Sequence, residues 1–249
     1  MIIIENIKEA FVKEAMEANN LPFKKEGVSD EDTEFLAEKL AKISSTEGKF
    51  LREIPVIMDI TAPIYWWKEF DTYKVGVTRV SESTMHSICK KPFEISDFSV
   101  DETMETMIPY MEYIIQQLNS LRDLYLNGAK EGDGKYLINP KNKKIWRMII
   151  QSLPCSYMQK SRVIINYEVI ARIIIDRTGH KLSEWNKFIE IATDNLSKPE
   201  LVIGRYANLI QKEMLLREYM KICPAEAIDD AIKTVKNAKK EAKKNARKE

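Results

Sequence analysis

The stretch Ile54-Pro-Val-Ile-Met-Asp-Ile-Thr-Ala-Pro-Ile-Tyr-Trp-Trp-Lys-Glu-Phe-Asp-Thr-Tyr-Lys-Val-Gly-Val-Thr-Arg-Val-Ser-Glu-Ser-Thr-Met-His86 joins two kinds of pattern. Its opening, Ile54 to Ile60, is apolar and bounded by proline, which reads as a buried strand. Beyond Ile60, Lys68, Glu69, Asp71, Lys74 and Arg79 are interleaved with Trp66, Trp67, Phe70 and Tyr73, and no period of 2 or 3.6 separates charges from rings. Buried charges are costly unless paired, so this segment needs ion-pair partners or a ligand. It also carries His86, one of 2 histidines in the chain.

Working outward, Ile2 to Ile4 reads as a short strand and Glu5 to Ala18 as an amphipathic helix with Ile7, Ala10, Phe11, Ala15 and Met16 near one face. Ser29-Asp-Glu-Asp32 is a capping-box pattern that opens a helix over 30–44. Residues 102–127 have helical spacing, with Pro109 near the start or at a kink, and Met104, Met107 and Met111 read as core. A glycine-rich loop over 127–135 and a helix over 141–151 follow. After Leu153-Pro154 come a strand through Val163 to Ile165 and a helix from Tyr167 to Arg177, then helices over 182–194, 199–222 and 225–245. Few strands among many helices, without βαβ alternation, predict an α+β fold with helices packed on a small mixed sheet. We expect one domain over 1–225 and a basic C-terminal helix or tail over 226–249.

The composition, 44% hydrophobic and 31% charged, is that of a soluble globular chain able to bury a core. No run of 18 apolar residues and no signal-peptide pattern is present, so the expectation is a cytoplasmic protein without a membrane partner. Cys89, Cys155 and Cys223 are odd in number and widely spaced, which fits reduced thiols, and no zinc site is expected. Neither GxGxxG nor GxxxxGK occurs. Residues 231–249 hold eight Lys or Arg against two Glu, leaving the rest of the chain acidic despite a net charge of +1. Such a terminus reads as a solvated helix, and nucleic acid is not an expected partner.

Several side chains have a chemical and a structural reading. Ser81, Ser83 and His86 place hydroxyls near an imidazole, suited to hydrogen bonding a substrate carbonyl or to nucleophilic chemistry, or else they form a polar turn. Trp66 or Trp67 can stack on a flat ring, or both can pack in the core. Asn166, Tyr167 and Glu168 at a strand-to-helix junction can read a pyrimidine edge, while Asn166 can equally cap the helix and Glu168 favour its positive end. Arg162 is a candidate anion contact. Glu69 and Asp71 can pair with Lys68 and Lys74. His180 reads as a helix terminator and Cys155 as a buried, inert thiol.

The order of these pieces resembles the flavin-dependent thymidylate synthases, especially divergent phage and prophage members. In that family a strand and short helix lead to an Arg-His-Arg signature and a serine stretch ending in Arg-Tyr. A Leu-Pro turn, a strand, an Asn and a helix carrying an Arg follow. Leu153-Pro154, Asn166 and Arg177 keep the later spacing, and Ser83-Thr-Met-His86 stands where the serine stretch ends. The resemblance spans residues 55–200 and departs at the signature, where Glu69-Phe70-Asp71 stands for Arg-His-Arg, and at Glu168 and Lys187, which replace arginines. It implies a pyrimidine nucleotide as substrate, FAD as cofactor, NADPH and methylenetetrahydrofolate if the reductive methylation of dUMP is kept, and a homotetramer. It also implies Ser83 and His86 in the catalytic positions. Lys68, Lys74, Arg79, Asn166 and Arg177 would lie toward the cofactor, and Ser81, Arg162, Tyr167, Glu168 and Lys187 toward the substrate. Carboxylates facing phosphate repel it, so Lys68, Lys74, Arg79 and Lys187 are the cations available to replace the lost charge. The alternative is a catalytically inactive nucleotide-binding or protein-interaction module on the same fold.

Overall fold

The computed structural model describes residues 1–24, 26–101, 103 and 105–222; Met104, Cys223 and the C-terminal segments expected over 225–245 and 226–249 lie outside them. The chain opens with β1 (Ile3–Glu9), α1 (Val12–Glu17), α2 (Asp30–Ile43), β2 (Pro55–Pro63) and α3 (Ile64–Phe70). Next come β3 (Val77–Ser81), the single turn α4 (Thr84–Ser87), α5 (Ile108–Asn127), the short β4 (Ala129–Lys130) and β5 (Tyr136–Ile138), and α6 (Lys143–Ser152). The strand β6 (Met158–Asn166) then leads into α7 (Tyr167–Arg177), α8 (Ser183–Asp194) and α9 (Pro199–Ile222).

The main sheet has the order β1-β2-β6-β3, and every pairing in it is antiparallel. The α+β expectation holds, with an antiparallel sheet in place of the mixed one. The reason is topological. β2 and β3 are joined through α3 and run in the same direction, yet β6 inserts between them and pairs with both, so the parallel pair never forms.

Alternation along the strands sets the faces. Val56, Met58, Ile60 and Ala62 of β2 and Val163 and Ile165 of β6 point to one side and are fully buried. They pack against Ile170, Ala171, Ile173 and Ile174 of α7 and an aromatic group from α3 and α8. Trp66 lies 4.7 Å from Trp185 and 5.0 Å from Phe70, ring centre to ring centre. Such pairs add about 0.5–1.5 kcal/mol each beyond the area they bury. Trp66 and Trp67 are therefore core, on a two-turn helix where Lys68 alone is exposed, too short to show an amphipathic period. A second, smaller cluster joins Ile88, Phe93 and Phe98 to Ile115 and Leu118 of α5 and Ile149 of α6. Met111 packs at its edge, whereas Met107 precedes α5 and is exposed rather than core.

Strand β1 runs through Glu9, where a helix was expected from Glu5. The cause is a bulge: Glu5 faces Asp59 and Lys8 faces Ile57, so Asn6 and Ile7 together oppose the single residue Met58. Asn6 takes a positive φ of 56° there. The extra residue brings Ile4 and Ile7, three apart, onto the same core, which imitates a helical period.

On the other face of the sheet Arg162 grips Asp59 with two hydrogen bonds, of 2.7 and 2.8 Å, and Asn6 donates a third at 2.9 Å. The Arg162 bonds first, then Asn6, hold the Asp59 carboxyl well below the usual carboxylate range. A carboxyl with a folded pKa below its unfolded value of about 3.9 contributes stability that is complete above that value and lost as pH falls toward the folded one. Urea midpoints measured from about pH 5 down to about pH 2 should therefore fall less steeply for Asp59→Asn than for the parent. Parallel curves would remove Asp59 from the acid response.

Candidate functional site

β6 ends where its last side chain turns back to cap the next helix: Asn166 Oδ1 accepts the Val169 amide of α7 at 3.0 Å. The loop before β3 lies directly on this junction. Gly76 has a φ of +86°, and a Cβ on it would stand 2.8 Å from Asn166 Nδ2 and 3.1 Å from Val169 Cγ2. The two segments singled out in the sequence, 66–86 and 166–177, thus meet. They meet again at the other end of α7, where Arg177 donates to Glu69 at 2.8 Å and to the Tyr73 hydroxyl at 3.0 Å.

Beside Gly76 opens a cleft of about 580 Å³. Val75, Val169 and Ile175 give it an apolar part, while Arg52, Arg172, Arg205, Glu168, Ser45 and Asn166 give it a polar one. Arg205, from α9, is 8% exposed and holds both Glu168 oxygens at 2.9 and 3.0 Å. Its remaining donors reach the carbonyls of Ala41 and Ser44, each at 3.2 Å. Arg172 is more loosely held, with Nε 3.5 Å from Asp176, and among the described residues Arg52 reaches only the Ser45 carbonyl, at 3.4 Å.

Each acid at a position read as a lost family arginine is neutralised by an arginine of this chain. Glu69 pairs with Arg177 and also accepts from Trp185 Nε1 at 2.8 Å; Asp71 pairs with Arg79 at 2.7 Å; Glu168 pairs with Arg205. Lys68 and Lys74, the partners considered from sequence proximity, are passed over. Adjacent residues of a helix point about 100° apart, so Lys68 cannot face Glu69. Arg79 is stacked 4.2 Å over the Trp67 ring and also reaches Gln159. Tyr73 lies between α3 and α7, and burial pushes its hydroxyl up against the opposing pull of Arg177.

Of the other residues expected at a site, Lys68, Lys74 and Lys187 are exposed. Lys68 Nζ lies 3.5 Å from the sulfur of Cys155, which is exposed rather than buried because its turn precedes β6 at the surface. Tyr167 sits in the core and donates to Glu9 at 2.6 Å; burial and that carboxylate push its hydroxyl up. Arg162 lies on the far face of the sheet, held by Asp59. Ser81 ends β3 opposite Ser161, Ser83 precedes α4 with its carbonyl accepting from Ser87, and His86 is exposed on α4. These three stand at the end of β3 away from the cleft, and His86 lines a separate cavity of about 310 Å³. The cleft thus brings together Asn166 and Glu168 from the expected set. It adds Arg52, Arg172 and Arg205, which sequence reasoning missed; the one signal was a cation, Arg205, just past the apolar run Leu201-Val-Ile and Gly204. Among the described residues no group of three His, Cys, Asp or Glu side chains could hold a metal, and no helix is long and apolar enough to cross a membrane.

No family model matches the chain, and no curated protein matches it. The architecture is nevertheless specific: the split sheet and its helices form the α+β fold of the flavin-dependent thymidylate synthases. One solved structure that shares it is the flavin-dependent thymidylate synthase ThyX of Helicobacter pylori complexed with FAD and dUMP, similar over 81% of this chain and 97% of that one, with a TM-score of 0.57 and 14% identity. Another is the UMP/dUMP methylase PolB of Streptomyces cacaoi bound with 5-Br dUMP, similar over 83% of this chain and 95% of that one, with a TM-score of 0.59 and 12% identity. At such identities the likeness is one of fold.

Proposed function

We propose that this protein binds a pyrimidine deoxynucleotide in the cleft between Gly76 and α7. The observation that carries the reading is the cleft's charge arrangement: among the described residues Arg52 meets no carboxylate and Arg172 makes only a loose 3.5 Å contact with Asp176, and both line a cleft that includes the positive end of an 11-residue helix and an apolar wall. A phosphate would take those arginines, and a pyrimidine ring would lie against Val75 and Val169. With Oδ1 committed to the helix cap, Asn166 keeps Nδ2 to donate to a ring carbonyl. The dUMP and 5-Br dUMP in the similar structures support uracil as the base.

The residues of one chain do not complete a flavin dinucleotide site. Arg79, Arg177 and Arg205 are each engaged by a carboxylate, and Trp66 and Trp67 are both in the core. What remains suits one phosphate better than a diphosphate with a stacked ring system. The preferred reading is therefore nucleotide binding without reductive methylation. A second reading, an FAD enzyme using NADPH and methylenetetrahydrofolate with its site completed by further copies in a tetramer, draws support from the FAD-bound structures that this chain is similar to.

Calorimetric titration with dUMP tests the first reading. The parent should bind, and Arg172→Ala should weaken binding about ten- to a hundredfold, the worth of one charge-assisted hydrogen bond. No heat at millimolar dUMP would sink it. The purified protein should be colourless and fail to take up added FAD, and it should rescue a thymidine auxotroph weakly or not at all. A yellow protein that supports growth without thymidine would establish the second reading instead.

A further inference from the structure

We propose that the cavity between α4, α5 and α6 is a second ligand site, separate from the cleft, for a phosphate monoester carried on a flat ring. It lies beyond the end of β3 remote from Gly76 and encloses about 310 Å³, the lower end of the range for small-molecule sites. Its lining supplies Lys90, Arg122 and Lys141 as cations and Tyr125 and Trp146 as rings, with no carboxylate among the described lining residues.

The cations are positioned rather than scattered. Arg122 has a side chain 14% exposed; its Nε donates to the Cys89 carbonyl at 3.1 Å, and Nη1 lies 3.3 Å from the exposed Asp123. Among the described residues that leaves Nη2 for a ligand oxygen. Lys141 has a φ of +60°, a left-handed conformation that is strained for a non-glycine residue. The strain is held by the Lys141 amide donating to the Tyr125 carbonyl at 2.6 Å, and it leaves the ammonium 5.0 Å over the Tyr125 ring. Without that backbone geometry a lysine so exposed would point to water.

Three cations against the single acid Asp123 leave about two net positive charges, the complement of a phosphate monoester, which carries about −1.5 to −2 at neutral pH. Cys89 reports on the same point. Burial pushes its thiol up, while Arg122 and Lys141 both pull it down, so both cations lie within electrostatic reach of one sulfur. With burial dominant the thiol stays protonated and does not repel an anion. Tyr125 and Trp146 offer the ring of the ligand apolar faces.

The test uses Cys89 as a reporter in the full-length protein, with iodoacetamide labelling followed peptide by peptide. Cys155, exposed and outside the cavity, is the internal control. Phenyl phosphate should slow Cys89 labelling by about tenfold at saturation and leave Cys155 unchanged; inorganic phosphate should act only at higher concentration, and phenol not at all. Lys141→Gly removes the ammonium at a backbone angle that glycine adopts without strain, so it should fold. It should raise the half-protecting concentration by about tenfold. Lys90→Gln, at an exposed site, should act in the same direction. Arg172→Ala should leave Cys89 protection intact, which separates this site from the cleft. Labelling of Cys89 indifferent to phenyl phosphate, or protection equal in Lys141→Gly and parent, overturns the site; protection by inorganic phosphate equal to that by phenyl phosphate overturns the ring specificity.

Discussion

Arg205→Met is expected to destabilise the protein by about 3–5 kcal/mol, measured as a loss of unfolding free energy in urea, because it strands the Glu168 carboxylate in a poorly solvated site. Glu168 keeps a side-chain exposure of 16%, so water can relieve only part of its charge once the guanidinium is gone. The Ala41 and Ser44 carbonyls lose their donor in the same step. The double variant Arg205→Met, Glu168→Gln removes the charge along with its partner and should recover much of the loss, since a missing buried pair costs far less than half of one. Equal losses in the single and double variants would mean that Arg205 acts through packing of its stem against α2, with the ion pair contributing nothing.

Gly76→Ala should cost about 2–3 kcal/mol and abolish dUMP binding in the cleft. Two effects add. A φ of +86° disfavours any side chain by roughly 1–2 kcal/mol, and the new Cβ would press on Asn166 Nδ2 at 2.8 Å. Asn166 must then move, which loosens the cap of α7, a contribution of about 1 kcal/mol. Gly134→Ala is the control: its φ of +84° is nearly the same, but nothing lies within 4 Å of the added Cβ. The excess loss in Gly76→Ala over Gly134→Ala therefore isolates the contact with Asn166. If the two variants were equally stable and both bound dUMP, the loop would not form the wall of the cleft.

Much of the architecture could be read in advance because it depends on local signals. Ser29 opens α2 and Asn166 opens α7 as capping side chains, and the apolar run from Val56 reads as the buried strand it is. β1 misled because a bulge changes the phase of an alternating pattern by one residue, and that residue leaves no mark in composition. The site was harder for a different reason. Periodicity tells which way a side chain points and says nothing of what it meets. The partner of Glu69 is Arg177, and the partner of Glu168 is Arg205 on a helix that the sequence assigned no role. Both pairings exist only after α7 has packed between α3 and α9. Lys68 adjoins Glu69 in the chain, but helix geometry turns the two side chains apart.

The insertion of β6 between β2 and β3 has a consequence for how the protein is made. A nascent chain that has emerged only as far as α6 can join β1 to β2, but β3 has nothing to pair with. Its backbone donors stay open until β6 follows, more than 70 residues later. Long delays of this kind expose strand edges to other chains. The strand that closes the sheet also delivers Asn166 to the cleft, so synthesis completes the scaffold and the binding wall in one event.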